Sequence, residues 1–292
     1  ISIMKIKILI PIYNDWRSVF ELLKQIDNQI SDISDEISIL IVNDGSNEEK
    51  ENIPELKYIK SVKILNMKQN QGHARCNAVG LKYLYENDEF DYLIPMDGDG
   101  EDRPEEIKLL LEKSKDYPND IITANRIKRS ESFLFKICYE IHKIITLIFT
   151  GQSIKFGNFS LLPKTVVKKM IDEKATWNSF SGSLCKVSNV RKSIPSIRGI
   201  RYFGPSKMSF PNLIKHSLSI ISVFKFTWFF RSLIFLLVYC YLISGFITII
   251  TLIPVVVIII LNGMIFTISA RENLEEYKNS LSNMINVDTI KE

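Results

Sequence analysis

The feature that most constrains this 292-residue chain is a stretch of 39 residues without a charged side chain, between Arg231 and Arg271. As one helix it would be about 58 Å long, roughly twice the hydrocarbon thickness of a bilayer, so two helices and a tight turn fit better. The stretch has no polar face, unlike the helices of soluble proteins. We therefore predict that residues 232–270 form two transmembrane helices, with the turn between Gly245 and Pro254.

The flanks of this stretch predict its orientation. Lys and Arg are abundant before it, and Arg271 and Lys278 follow it. Because cytoplasmic flanks carry the excess of positive charge, both ends should be cytoplasmic. We predict a multi-pass protein of the cytoplasmic membrane whose preceding domain faces the cytoplasm, with a juxtamembrane amphipathic segment at 211–231 and a cytoplasmic tail at 271–292.

Residues 1–120 alternate strand and helix patterns. Strands are expected in "IKILIPIY", "ISILIVNDGS", "VKILNM" and "FDYLIPMDGDG", and helices in "WRSVFELLKQIDNQI" and "GHARCNAVGLKYLYEN". The first strand lies where a signal peptide would be, but its apolar run is too short for one. Apolar strands alternating with helices predict a parallel α/β sheet, whose ligands bind at the carboxyl ends of the strands. Three polar clusters fall at such ends and should converge on one edge: Tyr13-Asn14-Asp15, Asp44-Gly45-Ser46 and Asp97-Gly98-Asp99.

Charge is segregated along the chain. Residues 1–120 have 15 basic and 24 acidic side chains, a net charge of −9, whereas residues 121–231 have 19 basic and 4 acidic ones, a net charge of +15. A basic block of this size implies an anionic partner, and its position beside the apolar stretch favours lipid over nucleic acid. Residues 132–151, apolar with interspersed charges, fit a helix in the membrane interface, with a core helix as the alternative.

Four carboxylates crowd the loop after the last of these strands: Asp97, Asp99, Glu101 and Asp102. Oxygen ligands at a strand end suit Mg²⁺ or Mn²⁺, which keep positions open for phosphate oxygens. An EF-hand is the rival, but its sixth position would hold Asp102 instead of glycine, and its twelfth Lys108 instead of Glu. We therefore predict a divalent metal bound by Asp97, Asp99 and Glu101, carrying a diphosphate.

Seven motifs in order resemble glycosyltransferase family 2, which has the GT-A fold. They are "IPIYND", "VNDGS", "NQGHARCNAVGL", "MDGDGEDRPEE", "NRIKR", "FGNFSLLPK" and "RYFGPSK". Together they most resemble the branch of dolichyl- and undecaprenyl-phosphate hexosyltransferases, in which two membrane helices after such a domain are familiar. The resemblance implies a GT-A domain at residues 1–210 that moves a single sugar, with inversion, from a UDP- or GDP-linked donor to a polyprenyl phosphate.

The resemblance also assigns roles to matching residues. Catalytic roles fall to Asp97, Asp99, Arg201 and Lys207. The donor would contact Pro11, Tyr13, Asp15, Asp44, Ser46, Asn70, Gly72, Arg75, Asp97 and Gly98. The acceptor phosphate would contact Arg126, Arg129, Asn158 and Ser206. The chain departs from the pattern at Asp15 (Glu in the family), at Glu101 (Gln in the branch), and at Asn158 and Ser160 (Asp and Arg in the branch).

The residues themselves favour a phosphate acceptor. A sugar hydroxyl needs a general base, whereas a phosphate is already anionic and needs only cations. Residues 174–271 contain no Asp or Glu, although Glu101 or Asp102 could still act as a base. A glycolipid or glycan acceptor and a catalytically silent membrane scaffold are the alternatives, while the "QxxRW" motif of processive synthases is absent.

We assign no catalytic or metal-binding role to the histidines and cysteines. His73, His142 and His216 are isolated in the sequence. The four cysteines are scattered without metal-binding spacing, as expected of reduced packing thiols: Cys76, Cys138, Cys185 and Cys240. The oligomeric state is left open, a homo-oligomer included.

Overall fold

The computed structural model describes residues 3–50, 52–128, 133–205 and 210–292. It divides into two units. The sheet unit comprises residues 1–130, 155–207 and 273–292, and the helical unit comprises residues 131–154 and 208–272. The chain therefore leaves the sheet unit twice and returns to it twice.

Within the described residues, eight strands form one sheet: β1 (Lys5–Ile12), β2 (Glu36–Asn43), β3 (Ser61–Met67), β4 (Tyr92–Pro95), β5 (Ile121–Lys128), β6 (Ser160–Pro163), β7 (Arg191–Ile197) and β8 (Met284–Lys291). Their order is β7-β5-β6-β4-β1-β2-β3-β8. The pairs β1–β2, β1–β4, β2–β3 and β5–β7 are parallel, whereas β6 and β8 run antiparallel to their neighbours. The predicted α/β class is confirmed.

Ten α-helices lie in the described part of the chain: α1 (Trp16–Gln29), α2 (His73–Asn87), α3 (Glu106–Asp116), α4 (Phe133–Thr150), α5 (Lys164–Ile171), α6 (Phe180–Val187), α7 (Phe210–Ser222), α8 (Lys225–Ile243), α9 (Ile249–Ser269) and α10 (Leu274–Lys278). Short 3-10 helices span Lys174–Trp177 and Ser280–Asn283. Helices α4 and α7 to α9 belong to the helical unit, and the others to the sheet unit.

The core of the sheet unit explains why its central strands are so apolar. Ile8, Ile10 and Ile41 are fully buried, as expected of parallel strands that are covered on both faces. Helix α1 places Leu22 and Ile26, which are four residues apart on one face, in the same cluster. Residues 12, 43 and 66 are register partners across β1, β2 and β3, so these strands end level. The polar loops that follow β1, β2 and β4 therefore meet at one edge, as predicted.

The helical unit packs α7, α8 and α9 around Leu218, Trp228 and Ile265, and the Phe149 ring of α4 lies 4.7 Å from Trp228 between centroids. Helices α8 and α9 are long and apolar enough to cross a membrane. With 19 and 21 residues they measure about 28 and 32 Å, close to the roughly 30 Å of a bilayer core.

The boundaries of these two helices differ from the expected ones. Helix α8 begins at Lys225 rather than at residue 232, so Arg231 lies inside it. Helix α9 begins at Ile249 and contains Pro254, which was expected in the turn. The reason is a capping box, in which Thr248 accepts a hydrogen bond from the Thr251 amide and starts the helix before the proline.

The segment after α9 is more than a tail. Strand β8 pairs with β3 at the edge of the sheet, and α10 and the second 3-10 helix precede it. We call residues 273–292 the return segment, because they bring the chain back to the sheet unit after the helical unit. The bounds expected for the domain at 1–210 and the cytoplasmic tail at 271–292 therefore differ from those of the two observed units.

Candidate active site

The acidic loop (residues 97–102) follows β4 at the carboxyl edge of the sheet, and each of its four carboxylates faces a different basic side chain. Arg198 and Arg201 come from the segment after β7, Arg126 from β5 and His73 from the first turn of α2. The pairs are Asp97 with His73, Asp99 with Arg201, Glu101 with Arg198, and Asp102 with Arg126. These basic side chains offset part of the repulsion among the crowded carboxylates.

Arg201 joins two of the strand ends. Its Nη1 donates to Asp99 Oδ2 at 2.9 Å, and its Nη2 pairs with Asp15, which follows β1. Its Nε donates to the carbonyl oxygen of Phe203 at 2.9 Å, so the planar guanidinium is held in one orientation. Three residues predicted for the site therefore meet, although Asp15 and Arg201 are 186 residues apart in sequence.

A basic strap, residues 198–203, runs along the acidic loop. The amides of Gly199 and Tyr202 donate to loop carbonyl oxygens at 2.8 and 2.9 Å. Gly100 in the loop has a φ of +88°, and a Cβ on it would lie 2.5 Å from a ring carbon of Tyr202. The two segments approach so closely that this position requires glycine.

His73 contacts the first aspartate of the loop. Its Nε2 lies 3.3 Å from Asp97 Oδ1 and 2.6 Å from Asn158 Nδ2, which also donates to Asp97 Oδ1 at 3.1 Å. Sequence reasoning assigned His73 no role, because no other histidine or acidic residue is near it in sequence. The available signal was its position: it opens the helix that follows β3, at the same sheet edge as the acidic loop.

Asp102 stabilises the acidic loop from inside. Only 4% of it is exposed, its Oδ2 accepts from the Asp97 amide at 3.0 Å, and its Oδ1 lies 3.5 Å from Arg126 Nη2. Arg126, predicted to bind the acceptor phosphate, therefore lies at the site and neutralises a buried carboxylate there. Arg198, the partner of Glu101, is a further cation that the motifs did not single out.

The carboxylates compete for positive charge. Burial pushes the pKa of Asp97 upward, but the hydrogen bond and charge of His73 outweigh burial, so that pKa lies well below its usual range. Burial and the charge of Asp97 raise the pKa of Asp99 to about 6. The same two causes raise the pKa of Asp102 to about 7. The loop would therefore ionise more readily with one more cation beside it.

The pairing of the carboxylates indicates which of them could bind a metal ion. Asp97 and Asp99 are one residue apart at a strand end, and Mg²⁺ commonly uses one or two carboxylates together with substrate phosphates. Glu101, the third predicted ligand, faces Arg198 instead. In the ranges that the structure describes, no group of three or more His, Cys, Asp or Glu side chains could hold a metal by itself. The donor set therefore fits a metal shared between two aspartates and a bound diphosphate.

The loops after β1 and β2 form the neighbouring part of the edge. Asn14, in the left-handed region at φ 50°, donates its amide to Ser46 Oγ at 2.9 Å. Asp44 is buried, and its carboxylate accepts from the amides of Gln71 and Gly72 at 2.6 and 2.8 Å. Asp44, predicted to contact the donor, therefore holds the loop before α2 in place.

Arg75, predicted to contact the donor, lies on α2 and contacts the return segment. It pairs with Glu276 of the return segment at 3.0 Å, and its guanidinium lies 4.8 Å from the centre of the Trp177 ring. It also donates to Gln71 Oε1 at 3.1 Å. The pair with Glu276 therefore ties α2 to the return segment.

The other predicted residues differ in exposure and in whether the structure describes them. Tyr13 and Asn70 are exposed near the strand ends, and Pro11 is buried within β1. A Cβ on Gly98 would lie 2.9 Å from an Ile12 methyl group, so this glycine lets the acidic loop pack against β1. Arg129, Ser206 and Lys207 lie outside the described residues.

A family model described as glycosyl transferase family 2 matches residues 7–177. The chain belongs to glycosyl transferase family 2. The family predicted from the motifs is confirmed, and with it the enzyme class. One relative of this family 2 glycosyltransferase is the undecaprenyl-phosphate 4-deoxy-4-formamido-L-arabinose transferase of Klebsiella pneumoniae (strain 342), 25% identical over 217 residues. The match covers 73% of this chain and 65% of that relative, so the chain spans less than two thirds of its length.

Solved structures share the fold of this family 2 glycosyltransferase at low identity. Mannosyl-3-phosphoglycerate synthase from Rubrobacter xylanophilus matches with a TM-score of 0.54 and 10% identity, over 75% of this chain and 72% of that one. Glucosyl-3-phosphoglycerate synthase from Mycobacterium tuberculosis, in complex with Mn²⁺, UDP-glucose and phosphoglyceric acid, matches with a TM-score of 0.54 and 9% identity, over 77% and 80%. The predicted GT-A-like architecture is confirmed.

Proposed function

We propose that the chain transfers one sugar, with inversion, from a UDP- or GDP-linked donor to a polyprenyl phosphate. The observation that carries the proposal is the acidic loop bound at Asp99 and Glu101 by the basic strap, at the edge where α/β sheets bind ligands. The Klebsiella relative, whose name describes an undecaprenyl-phosphate sugar transferase, supports the lipid phosphate.

Asp97 and Asp99 would hold Mg²⁺ or Mn²⁺ on the donor diphosphate, and that metal would supply charge neutralisation for the departing nucleoside diphosphate. The Mn²⁺ and UDP-glucose in the Mycobacterium neighbour support a divalent metal beside a nucleotide-sugar. Arg201 lies 2.9 Å from Asp99, so its guanidinium would be beside the diphosphate. A fixed cation there stabilises the charge that grows on the leaving group, and the matched motif extends the same role to Lys207.

The acceptor proposal is supported by the pairing of the two carboxylates that the sequence offers as a base. Glu101 is paired with Arg198, and Asp102 is buried against Arg126. A sugar hydroxyl needs a base to accept its proton, whereas a phosphate brings its own negative charge. We propose that Arg126, Arg129, Asn158 and Ser206 line the place where this phosphate is held.

We further propose that α8 and α9 form a membrane hairpin with the sheet unit in the cytoplasm. The proposal is compatible with a monomer or a homo-oligomer. The return segment supports the hairpin, since a chain whose two flanks share one sheet must cross a membrane an even number of times. The positive residues Arg271 and Lys278 after α9 support the cytoplasmic side.

A comparison of two acceptors distinguishes the proposed function from the alternatives. Membranes containing the enzyme would be incubated with Mg²⁺ or Mn²⁺, radiolabelled UDP- and GDP-sugars, and either polyprenyl phosphate or the matching polyprenol. We expect label in an organic-extractable, mild-acid-labile lipid with the phosphate only. Equal transfer to the free alcohol would favour the glycolipid acceptor, and no transfer from any donor would favour the silent scaffold.

A further inference from the structure

Three asparagines lie side by side across the edge of the sheet. Asn43 ends β2, Asn66 is its register partner in β3, and Asn286 is the partner of Asn66 in β8. Asn43 Nδ2 donates to Asn66 Oδ1 at 2.9 Å, and Asn66 Nδ2 donates to Asn286 Oδ1 at 2.8 Å. We call these three residues the asparagine row.

The outer end of the row is fixed by a carboxylate. Asn66 Nδ2 also donates to Asp288 Oδ2 at 2.9 Å, and Asn286 Nδ2 donates to Asp288 Oδ1 at 2.9 Å. Lys50 lies 3.5 Å from the same carboxylate. Asp288 therefore gathers the two outer amides of the row and one cation from the loop after β2.

The inner end of the row reaches the loops proposed to bind the donor. Asn43 Oδ1 accepts from the Ser46 amide at 3.0 Å, and Ser46 Oγ accepts from the Asn14 amide at 2.9 Å. The next residue, Asp15, pairs with Arg201. An unbroken chain of hydrogen bonds thus runs from the return segment to the first two strand-end loops.

The asparagine row is an unfavourable choice of residues for the stability of the sheet alone. Asparagine is a poor strand residue, and Asn43 is buried at 9% exposure. An apolar residue in β3 would pair with its neighbours at least as well, but it would leave the Asn43 amide unsatisfied. The row therefore fixes the side chain of Asn43 in the one orientation that presents its oxygen to Ser46.

We propose that Asn66, Asn286 and Asp288 are positioning residues for the donor nucleotide, acting through Asn43 and Ser46. The return segment would then complete the nucleotide site as well as the sheet. This inference rests on the proposed function, because it takes the loops after β1 and β2 as the nucleotide site.

A swap of two functional groups tests the proposal. Asn66→Asp keeps the shape of residue 66 but removes its donor and sets a second carboxylate against Asp288. Asp288→Asn in the same chain restores an amide that can donate across the pair. We expect the dissociation constants of UDP or GDP, measured by calorimetry on the detergent-solubilised full chain, to rise about fivefold to tenfold in Asn66→Asp. They should change less than threefold in Asp288→Asn and return to within threefold in the double variant.

Two further measurements separate positioning from simple stability. Ile285→Asp adds a charge to the exposed side of β8 and should leave nucleotide binding unchanged. In transfer assays, Asn66→Asp should raise the donor KM with little change in kcat or in the acceptor KM. If Asn66→Asp does not fold, Asn286→Leu on the edge strand is the second test, with an expected threefold to fivefold loss of nucleotide affinity.

The outcomes are distinguishable from failure of the proposed function. If the wild-type chain binds a nucleotide but transfers no sugar, the proposed function fails while the swap still tests the row. If Asn66→Asp lowers the melting temperature without changing nucleotide affinity, or if the double variant shows no recovery, the inference is wrong. If the wild-type chain binds neither nucleotide, both are wrong.

Discussion

Asp99 is the residue at which the opposing charges of the site meet. It is paired with Arg201, yet burial and the charge of Asp97 raise its pKa to about 6. Asp99→Asn should therefore leave the fold intact, because it removes a carboxylate that its surroundings disfavour. We expect the rate of sugar transfer to fall by a factor on the order of 10²–10³ or more, as when a comparable electrostatic contact is lost.

The measurement is the initial rate of sugar transfer in membranes, with the melting temperature of the purified protein as a check of folding. Asp116→Asn is the matched control. This carboxylate is exposed and forms a long ion pair, at 3.9 Å, with Lys113 on the same helix. Excess chelator should abolish transfer by the wild-type enzyme, and added Mg²⁺ or Mn²⁺ should restore it. Full activity of Asp99→Asn, or in chelator, would contradict the metal assignment.

The candidate site was predictable where residue type and strand end coincide. Asp15, Asp97 and Asp99 are such residues, and the structure brings them to one edge with Arg201. Partnerships across the chain were not predictable. Nothing near Arg75 in sequence indicates its partner Glu276, which lies 201 residues later, and only the sheet order brings His73 to Asp97.

At the level of elements, the close approach of the basic strap to the acidic loop depends on Gly100. Its φ of +88° strains any other residue, and a Cβ would lie 2.5 Å from Tyr202, whose amide is fixed by a hydrogen bond to the Asp99 carbonyl. Gly100→Ala should cost about 1–3 kcal/mol of stability and lower the transfer rate, since the strap carries Arg198 and Arg201.

Gly204→Ala separates the two contributions. That glycine also has a positive φ, of +66°, but no atom lies within 4 Å of a Cβ placed on it, so only backbone strain should be felt. Thermal unfolding and transfer rates of both variants would be compared, with Tyr202→Ala added to Gly100→Ala to relieve the clash. Equal losses in the two glycine variants would show that the contact with Tyr202 is unimportant.

Elements differed in how well the sequence predicted them. Strands β1, β2 and β4 are apolar on both faces, and their sequence patterns were sufficient to predict them as strands. Strand β8, "MINVDTIK", mixes polar and apolar residues and is partly exposed. It pairs with β3 more than 200 residues earlier, so its own pattern contains little evidence for it. The start of α9 depended on the capping box at Thr248, which a search for charge-free residues does not detect.

At the scale of the whole molecule, β8 links the fold to membrane topology. The sheet unit contains the chain both before α7 and after α9, and β3 and β8 pair directly within it. Both ends of the α8–α9 pair must therefore lie on one side of any membrane that these helices cross. The positive-inside rule gives the same answer from charge alone, so two independent arguments agree.

The topology can be tested by labelling single cysteines in intact cells. In a background with the four native cysteines replaced by serine, Gly245→Cys lies in the turn between α8 and α9, Ser282→Cys in the return segment, and Asn189→Cys on the sheet unit before the hairpin. A membrane-impermeant thiol reagent should label Gly245→Cys from outside, whereas the other two should react only after permeabilisation. Labelling of Ser282→Cys from outside would require an odd number of spans, which is incompatible with the pairing of β8 and β3. Protection of Gly245→Cys together with the other two would mean that α8 and α9 lie on the membrane or in a protein core without crossing.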